Sequence, residues 1–249
     1  MKLIIDIGNT SVTIGLFDGY NLLKQTHFNS NSQHYPAPSH LVQFLNSIRE
    51  YNIIASVISS VVPKLTSEYF NILNETYKYP CFIINYKHTK LSLKVKEPET
   101  IGVDRLCNIV AVKKDYSFPA IIIDFGTAIT YDVINNKGEF LGGAIATGVE
   151  ISAKYLINNA ALLSETKLEF PKKVVGTNTT TNIQSGIMFG AIDQVEGMIC
   201  RIQKETNSNY EIILTGGFSK LISPKLETPH IIDINLTLKG ILYIYELNS

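Results

Sequence analysis

Neither charge is in excess in this 249-residue sequence: Lys+Arg and Asp+Glu both number 22. That balance argues against a chain built to coat nucleic acid or an anionic membrane, since both favour a basic surface. An acidic substrate would have to be met by local cations. Cysteine is scarce. Cys81, Cys107 and Cys200 are odd in number, widely spaced and form no CxxC, so neither a disulfide framework nor a cysteine zinc site is expected, and they read as reduced, mostly buried thiols. No run of about 18 apolar residues occurs, and Asp6 stands where a signal peptide needs an apolar core. The expectation is a cytoplasmic protein without a membrane span. The five histidines, at 27, 34, 40, 88 and 230, show no metal-ligand spacing and read as surface or internally bonded side chains. Low-complexity tracts are absent.

What is present is the composition of a folded protein, 45% hydrophobic and 18% charged, in a chain long enough for one large domain or two small ones. It also contains a duplication. Leu3–Phe17, LIIDIGNTSVTIGLF, returns in altered form at Ile121–Val133 as IIIDFGTAITYDV. Each copy drives an apolar strand into an aspartate, turns on a glycine beside hydroxyl or amide residues, and leaves on an alternating strand. The copies lie about half the chain apart, too far for a solenoid period and suited to a duplicated domain.

Around the copies the pattern is mixed α/β. The first strand, Ser11–Phe17 and a segment after Asp18-Gly19 predict an antiparallel meander. A polar loop over 29–39 and a helix started by Ser39, with Leu41, Leu45 and Ile48 on one face, are expected next. Asn52–Ser59 reads as a buried strand, Leu65–Tyr77 as a helix, Cys81–Asn85 as a strand and Val103–Lys114 as a helix. The segment His88–Thr100, with its lysines, reads as an exposed loop. The break at Ser117-Phe118-Pro119 places the boundary, giving domains over 1–117 and 118–249. The second meander is expected at Ile121–Asp124, Ala128–Ile134 and Glu139–Leu141. Gly142-Gly143 and Gly148 should bracket a loop leading to a helix from Val149 to Leu163. A polar, turn-rich stretch over 164–180, a long helix over Asn182–Thr206, a strand over Glu211–Thr215 ending at Gly216-Gly217, and a last helix over Leu236–Leu247 complete the pattern. That last helix can pack back on the first lobe.

The chemistry is expected where the copies turn. Asp6 and Asp124 end buried strands, and one or two carboxylates at such a place suit magnesium held with a nucleotide. Backbone N–H groups at a glycine turn, with Thr or Ser hydroxyls, can hold phosphate oxygens without a lysine-bearing loop. The plainer alternative is that both aspartates merely terminate hairpins. In Gly102-Val103-Asp104-Arg105, Arg105 can grip a carboxylate or phosphate bidentately and Asp104 can take a proton from a hydroxyl; the alternative is a helix start favoured by the helix dipole. The hydroxyl-rich run Gly176 to Thr181 can be a cap and nothing more. Thr215-Gly216-Gly217 resembles a nucleotide-supporting loop of two-lobed ATPases, although strand, Gly-Gly, helix is a common sequence.

Taken in order, Asp6-Ile7-Gly8-Asn9-Thr10, Gly102-Val103-Asp104-Arg105, Asp124-Phe125-Gly126-Thr127, Gly142-Gly143 with Gly148, Gly176 with Asn178-Thr179, Gln184-Ser185-Gly186 and Leu236-Thr237-Leu238-Lys239-Gly240 resemble the type III pantothenate kinases. The likeness spans essentially the whole chain. It implies the acetate and sugar kinase, heat-shock chaperone and actin superfamily: two duplicated ribonuclease H-like lobes, each a mixed five-stranded sheet flanked by helices, with the active site between them. It implies phosphoryl transfer from ATP to the primary hydroxyl of pantothenate, the first step of coenzyme A synthesis. Asp104 would be the general base, and Gly102, Val103, Asp104 and Arg105 would line the pantothenate site. Asp6, Ile7, Gly8, Asn9, Thr10, Ser11, Val12 and Thr13 would hold the triphosphate and its magnesium, with Thr127 also on ATP. Asp124 would bind a monovalent cation, potassium or ammonium. Thr179 would contact pantothenate across a homodimer interface.

Three residues depart from the family pattern. Val95 stands where a tyrosine contact to pantothenate is usual, Val103 where alanine is usual, and Thr147 where proline is common. The first keeps open a second reading, a kinase of the same superfamily with another hydroxyl substrate. A third reading is a nucleotide-binding regulator without turnover, which has no need of the base Asp104.

Overall fold

The computed structural model describes residues 1–30, 37–159 and 166–249. Most of the polar loop expected over 29–39, His34, the expected end of the helix begun at Val149 and the start of the 164–180 stretch lie outside the described residues. The chain divides into two compact units, Met1–Tyr116 with Asn235–Ser249, and Ser117–Ile234.

The first unit begins with strands β1 (Lys2–Ile7), β2 (Ser11–Asp18) and β3 (Asn21–Asn29), then helix α1 (Ala37–Ser47), β4 (Ala55–Ser60), α2 (Pro63–Asn71), β5 (Cys81–Ile83) and α3 (Val103–Asp115). Its sheet has the order β3-β2-β1-β4-β5. The β1–β2 and β2–β3 pairs are antiparallel, β1–β4 and β4–β5 parallel. β1 lies in the middle, which explains its apolar run: Leu3, Ile4, Ile5 and Ile7 are all fully buried, as both faces of a central strand require. Leu3, Ile5, Ile7 and the alternating Val12, Ile14 and Leu16 pack with Leu41, Leu45, Ile48, Tyr69 and Leu73. Ser39 does not start α1, which already runs from Ala37. Pro63 opens α2 at its first turn, where a missing N–H has no helical partner to lose, and after Asn71 the chain continues as a π-helical segment, Ile72–Thr76.

The second unit repeats the plan with β6 (Ala120–Phe125), β7 (Ala128–Ile134), β8 (Phe140–Thr147), α4 (Val149–Asn158), α5 (Thr179–Thr206), β9 (Glu211–Thr215), α6 (Ser219–Ile222) and β10 (Ile231–Ile232). Its sheet order is β10-β9-β6-β7-β8. The first three strands are antiparallel and the next two parallel. Position for position this is the topology of the first sheet, so the duplication extends from the two turns to two whole ribonuclease H-like sheets. Both second strands carry a register shift near their ends, at Leu16/Phe17 and at Val133/Ile134. Ile121, Ile123, Ile129 and Tyr131 pack with Met188, Val195 and Ile199 of α5.

The glycine reading needs correction. Gly142 and Gly143 do not bracket a loop; they lie inside β8, which runs eight residues. Gly142 has φ +112°, a backbone that favours glycine. A Cβ on Gly143 would sit 1.7 Å from the Tyr131 carbonyl oxygen on the paired strand. The glycines permit a bulged, closely paired edge strand. The long helix likewise begins at Thr179, three residues earlier than its apolar period indicates. Of the cysteines, Cys107 is buried, Cys81 half-buried and Cys200 exposed, so the last does not fit the expected burial.

The final helix, α7 (Leu236–Asn248), belongs to the first unit and packs along α3, β1 and β4. It carries Gly240 at its point of closest approach. A Cβ there would fall 1.9 Å from the Cys107 carbonyl oxygen of α3. Beside it the Thr237 hydroxyl donates to Asn108 Oδ1 at 2.8 Å, and Tyr243 donates to the Asp115 carboxylate at 2.9 Å. The sequence Leu236 to Gly240 is therefore a docking surface for α3, the helix whose first turn holds Asp104 and Arg105.

Candidate active site

Asp6 is the last residue but one of β1, half-buried, where the central strand reaches the end of the sheet. The turn that follows is braced from inside. Gly8 N–H donates to the Ser11 carbonyl at 2.9 Å, and a Cβ on Gly8 would meet that oxygen at 3.2 Å. Ser30, at the end of β3, donates its N–H to the Thr10 carbonyl at 2.9 Å and its hydroxyl to the Asn9 carbonyl at 3.0 Å. The Asn9 and Thr10 carbonyls are thus both taken by one buried serine, which holds the turn in place. Ser30 carries no motif and was not singled out in the sequence. Ile7 and Val12 are fully buried in the core, so any part they take in phosphate binding falls to their backbone. Asn9 is exposed and Thr10, Ser11 and Thr13 are half-buried; the Thr13 hydroxyl is 2.9 Å from His27 Nδ1.

Asp104 stands in the first turn of α3, with Gly102 as the residue before the helix. Its Oδ1 accepts the Arg105 N–H at 2.9 Å. The carboxylate folds back over Gly102: a Cβ at that position would lie 2.4 Å from Asp104 Oδ1, which is why a glycine precedes the pair. Gly102 to Arg105 are all half-buried, so the carboxylate and the guanidinium are accessible to a ligand. Both Asp6 and Asp104 act on the fully buried Cys107 of α3. Burial, with the charge of Asp6 and then of Asp104, pushes its thiol well above the ordinary range against a hydrogen bond to Ser59.

In the second unit Asp124 is half-buried near the end of β6, followed by exposed Gly126 and Thr127. This turn is one residue shorter than the first, with Gly126 N–H donating to the Ala128 carbonyl at 3.0 Å. Two further glycines press on it. A Cβ on Gly148 would meet the Gly126 and Thr127 carbonyl oxygens at 2.4 Å, and one on Gly216, whose φ is +86°, would meet Asp124 Oδ1 at 2.3 Å. Gly148 and Gly216 owe their identity to the close packing of this turn. Thr179 is exposed in the first turn of α5. The cap is Asn178, whose side chain accepts the Thr181 N–H at 2.9 Å, so Thr179 is not needed for capping and its hydroxyl is available for another role. Among the described residues no three His, Cys, Asp or Glu side chains converge as a metal cage. The oxygen donor that does suit a hard cation arriving with its own phosphates is a carboxylate at a strand end, as Asp6 is.

The family model of type III pantothenate kinase matches residues 2–201. The Type III pantothenate kinase of Moorella thermoacetica is 36% identical, with 100% of both chains covered. That of Roseiflexus castenholzii is 38% identical over 100% of this chain and 99% of its own. Among solved structures, a Baf family transcriptional activator from Campylobacter jejuni aligns with TM-score 0.61 at 20% identity, covering 99% of this chain and 98% of that one, a likeness of fold. With the duplicated sheets, the two turns and the Gly-x-Asp-Arg segment all present in a chain that aligns end to end with these kinases, this protein belongs to the type III pantothenate kinase family.

Proposed function

We propose that this protein transfers the γ-phosphoryl group of ATP to the primary hydroxyl of pantothenate, the first step of coenzyme A synthesis. The observation that carries this reading is the end-to-end match to named pantothenate kinases at 36–38% identity. Half-buried carboxylates at the end of β1, Asp6, and in the first turn of α3, Asp104, support it. In this reading residues 6–13 and Thr127 hold the triphosphate, and Asp6 holds its magnesium, which when bound neutralises charge on the phosphates. Phosphoryl transfer asks the protein chiefly for positioning and for charge complementarity. Arg105 grips the pantothenate carboxylate, Asp104 accepts the hydroxyl proton as the oxygen attacks in line, and Gly102 leaves the space into which the Asp104 carboxylate folds.

Asp124 binds the activating monovalent cation in this account; its strand-end carboxylate and the adjoining turn carbonyls are the oxygen donors such an ion requires. ADP release should depend on pantothenate and run several-fold faster in potassium or ammonium than in sodium. Equal rates in all three would remove the cation from the account.

The protein acts as a homodimer, with Thr179 reaching pantothenate bound to the other subunit. In support, the second unit exposes large apolar side chains at Ile145 of β8, at Tyr155 of α4 and at Val174 and Val175, the last 80% exposed. A dimer interface would take such side chains out of water. The Ser185 hydroxyl of α5 donates to the Val174 carbonyl, which ties this apolar segment to the helix that Thr179 begins. A monomer mass in sedimentation equilibrium at micromolar protein would contradict the dimer.

A further inference from the structure

The register of the two sheets repeats a detail that no motif contains. On the parallel neighbour of β1, the residue paired with Asp6 is Ser59; on the parallel neighbour of β6, the residue paired with Asp124 is Thr215. Both are hydroxyl residues and both are buried, Ser59 completely and Thr215 to 1% exposure. A buried hydroxyl is costly unless it is hydrogen-bonded, and an apolar residue would serve a central strand better. Ser59 Oγ donates to Asp6 Oδ1 at 3.1 Å. A serine has one hydroxyl proton and spare lone pairs. With that proton given to Asp6, the direction of the Ser59 hydroxyl is set by the carboxylate it serves.

We propose that Ser59 is a positioning residue that holds the Asp6 carboxylate in the orientation needed for magnesium-bound ATP. Ser59 fixes one carboxylate oxygen and with it the direction in which the other is presented. The inference rests on Asp6 being the carboxylate for the magnesium–nucleotide complex.

Binding of a fluorescent ATP analogue, followed by anisotropy with magnesium titrated in and separately in EDTA, tests this without turnover. Partners that orient a ligating carboxylate typically matter about 10–100-fold to metal affinity, so Ser59→Ala should weaken magnesium-supported binding by that factor and change binding in EDTA by less than about twofold. Ser59→Cys keeps the volume with a much weaker donor; it should shift in the same direction and serves if the alanine variant does not fold. The proposal is overturned if a folded Ser59 variant binds with magnesium within about threefold of the wild type, or loses as much in EDTA as in magnesium. Asp6→Asn separates the two levels. If it keeps full magnesium dependence, the reading of Asp6 fails; if it loses that dependence while the Ser59 variants do not, only the present inference fails.

Discussion

Asp104→Asn is expected to lower kcat by about 10²–10⁴-fold, the usual contribution of a positioned general base, in a protein that remains folded. The amide keeps an oxygen to accept the Arg105 N–H, now accepted by Asp104 Oδ1 at 2.9 Å, and it keeps the volume that lies over Gly102. What it cannot do is take the proton from the attacking hydroxyl. The structural cost is the loss of a negative charge in the first turn of α3, where it interacts with the helix dipole, worth about 0.3–1 kcal/mol at an accessible position. The melting temperature should therefore move by only about 1–4 °C for a chain of this size. Steady-state kinetics with a thermal melt on the same sample check both halves. A kcat within tenfold of wild type would remove Asp104 from the proton transfer.

Gly240→Ala should be the most damaging single-methyl change in the first unit. On helix propensity alone it would stabilise, since glycine in a helix interior costs about 1 kcal/mol relative to alanine. Packing decides the sign. The new Cβ would fall 1.9 Å from the Cys107 carbonyl oxygen and 2.4 Å from its carbonyl carbon, and backbone atoms inside α3 cannot rotate away as a side-chain end can. Overpacking of this kind costs about 1–3 kcal/mol or more, which for a chain of this length is a fall of roughly 2–12 °C in melting temperature. Because α3 carries Asp104 and Arg105, moving α7 away should also raise KM for pantothenate. An unchanged or higher melting temperature would show that α3 and α7 do not pack as closely as described.

The central strands were legible because β1 and β6 are buried on both faces and read as unbroken aliphatic runs, and because β2 and β7 alternate. The recurrence of strand, aspartate and glycine turn disclosed the duplicated sheets. The edges were less legible. β10 is a two-residue strand at the margin of its sheet, with Ile231 38% and Ile232 39% exposed, and is too short to register as a pattern. The length of β8 was hidden by Gly142 and Gly143, which punctuate a loop in most sequences and here allow the bulge and close pairing. At the site, charged residues in short motifs were visible and their supports were not. Ser59 and Ser30 are serines without a motif. Only strand register, which sets Ser59 opposite Asp6, or the return of β3 to the first turn, which brings Ser30 to Asn9 and Thr10, gives them meaning. Register was partly accessible: Asp6 and Ser59 each lie near the carboxyl end of an apolar strand, and aligning those ends would have paired them. The Leu236 to Gly240 segment resembled the family without a physical reason; the reason is the close contact with Cys107.

The identity of the phosphorylated hydroxyl is what separates pantothenate from another substrate, so the central claim is tested on the product. Wild-type protein incubated with ATP, magnesium, potassium and pantothenate should yield one phosphopantothenate per ADP by mass spectrometry, with neither product accumulating when pantothenate is left out. ADP formed at the same rate without pantothenate, or ADP formed with no phosphorylated pantothenate, would contradict the account.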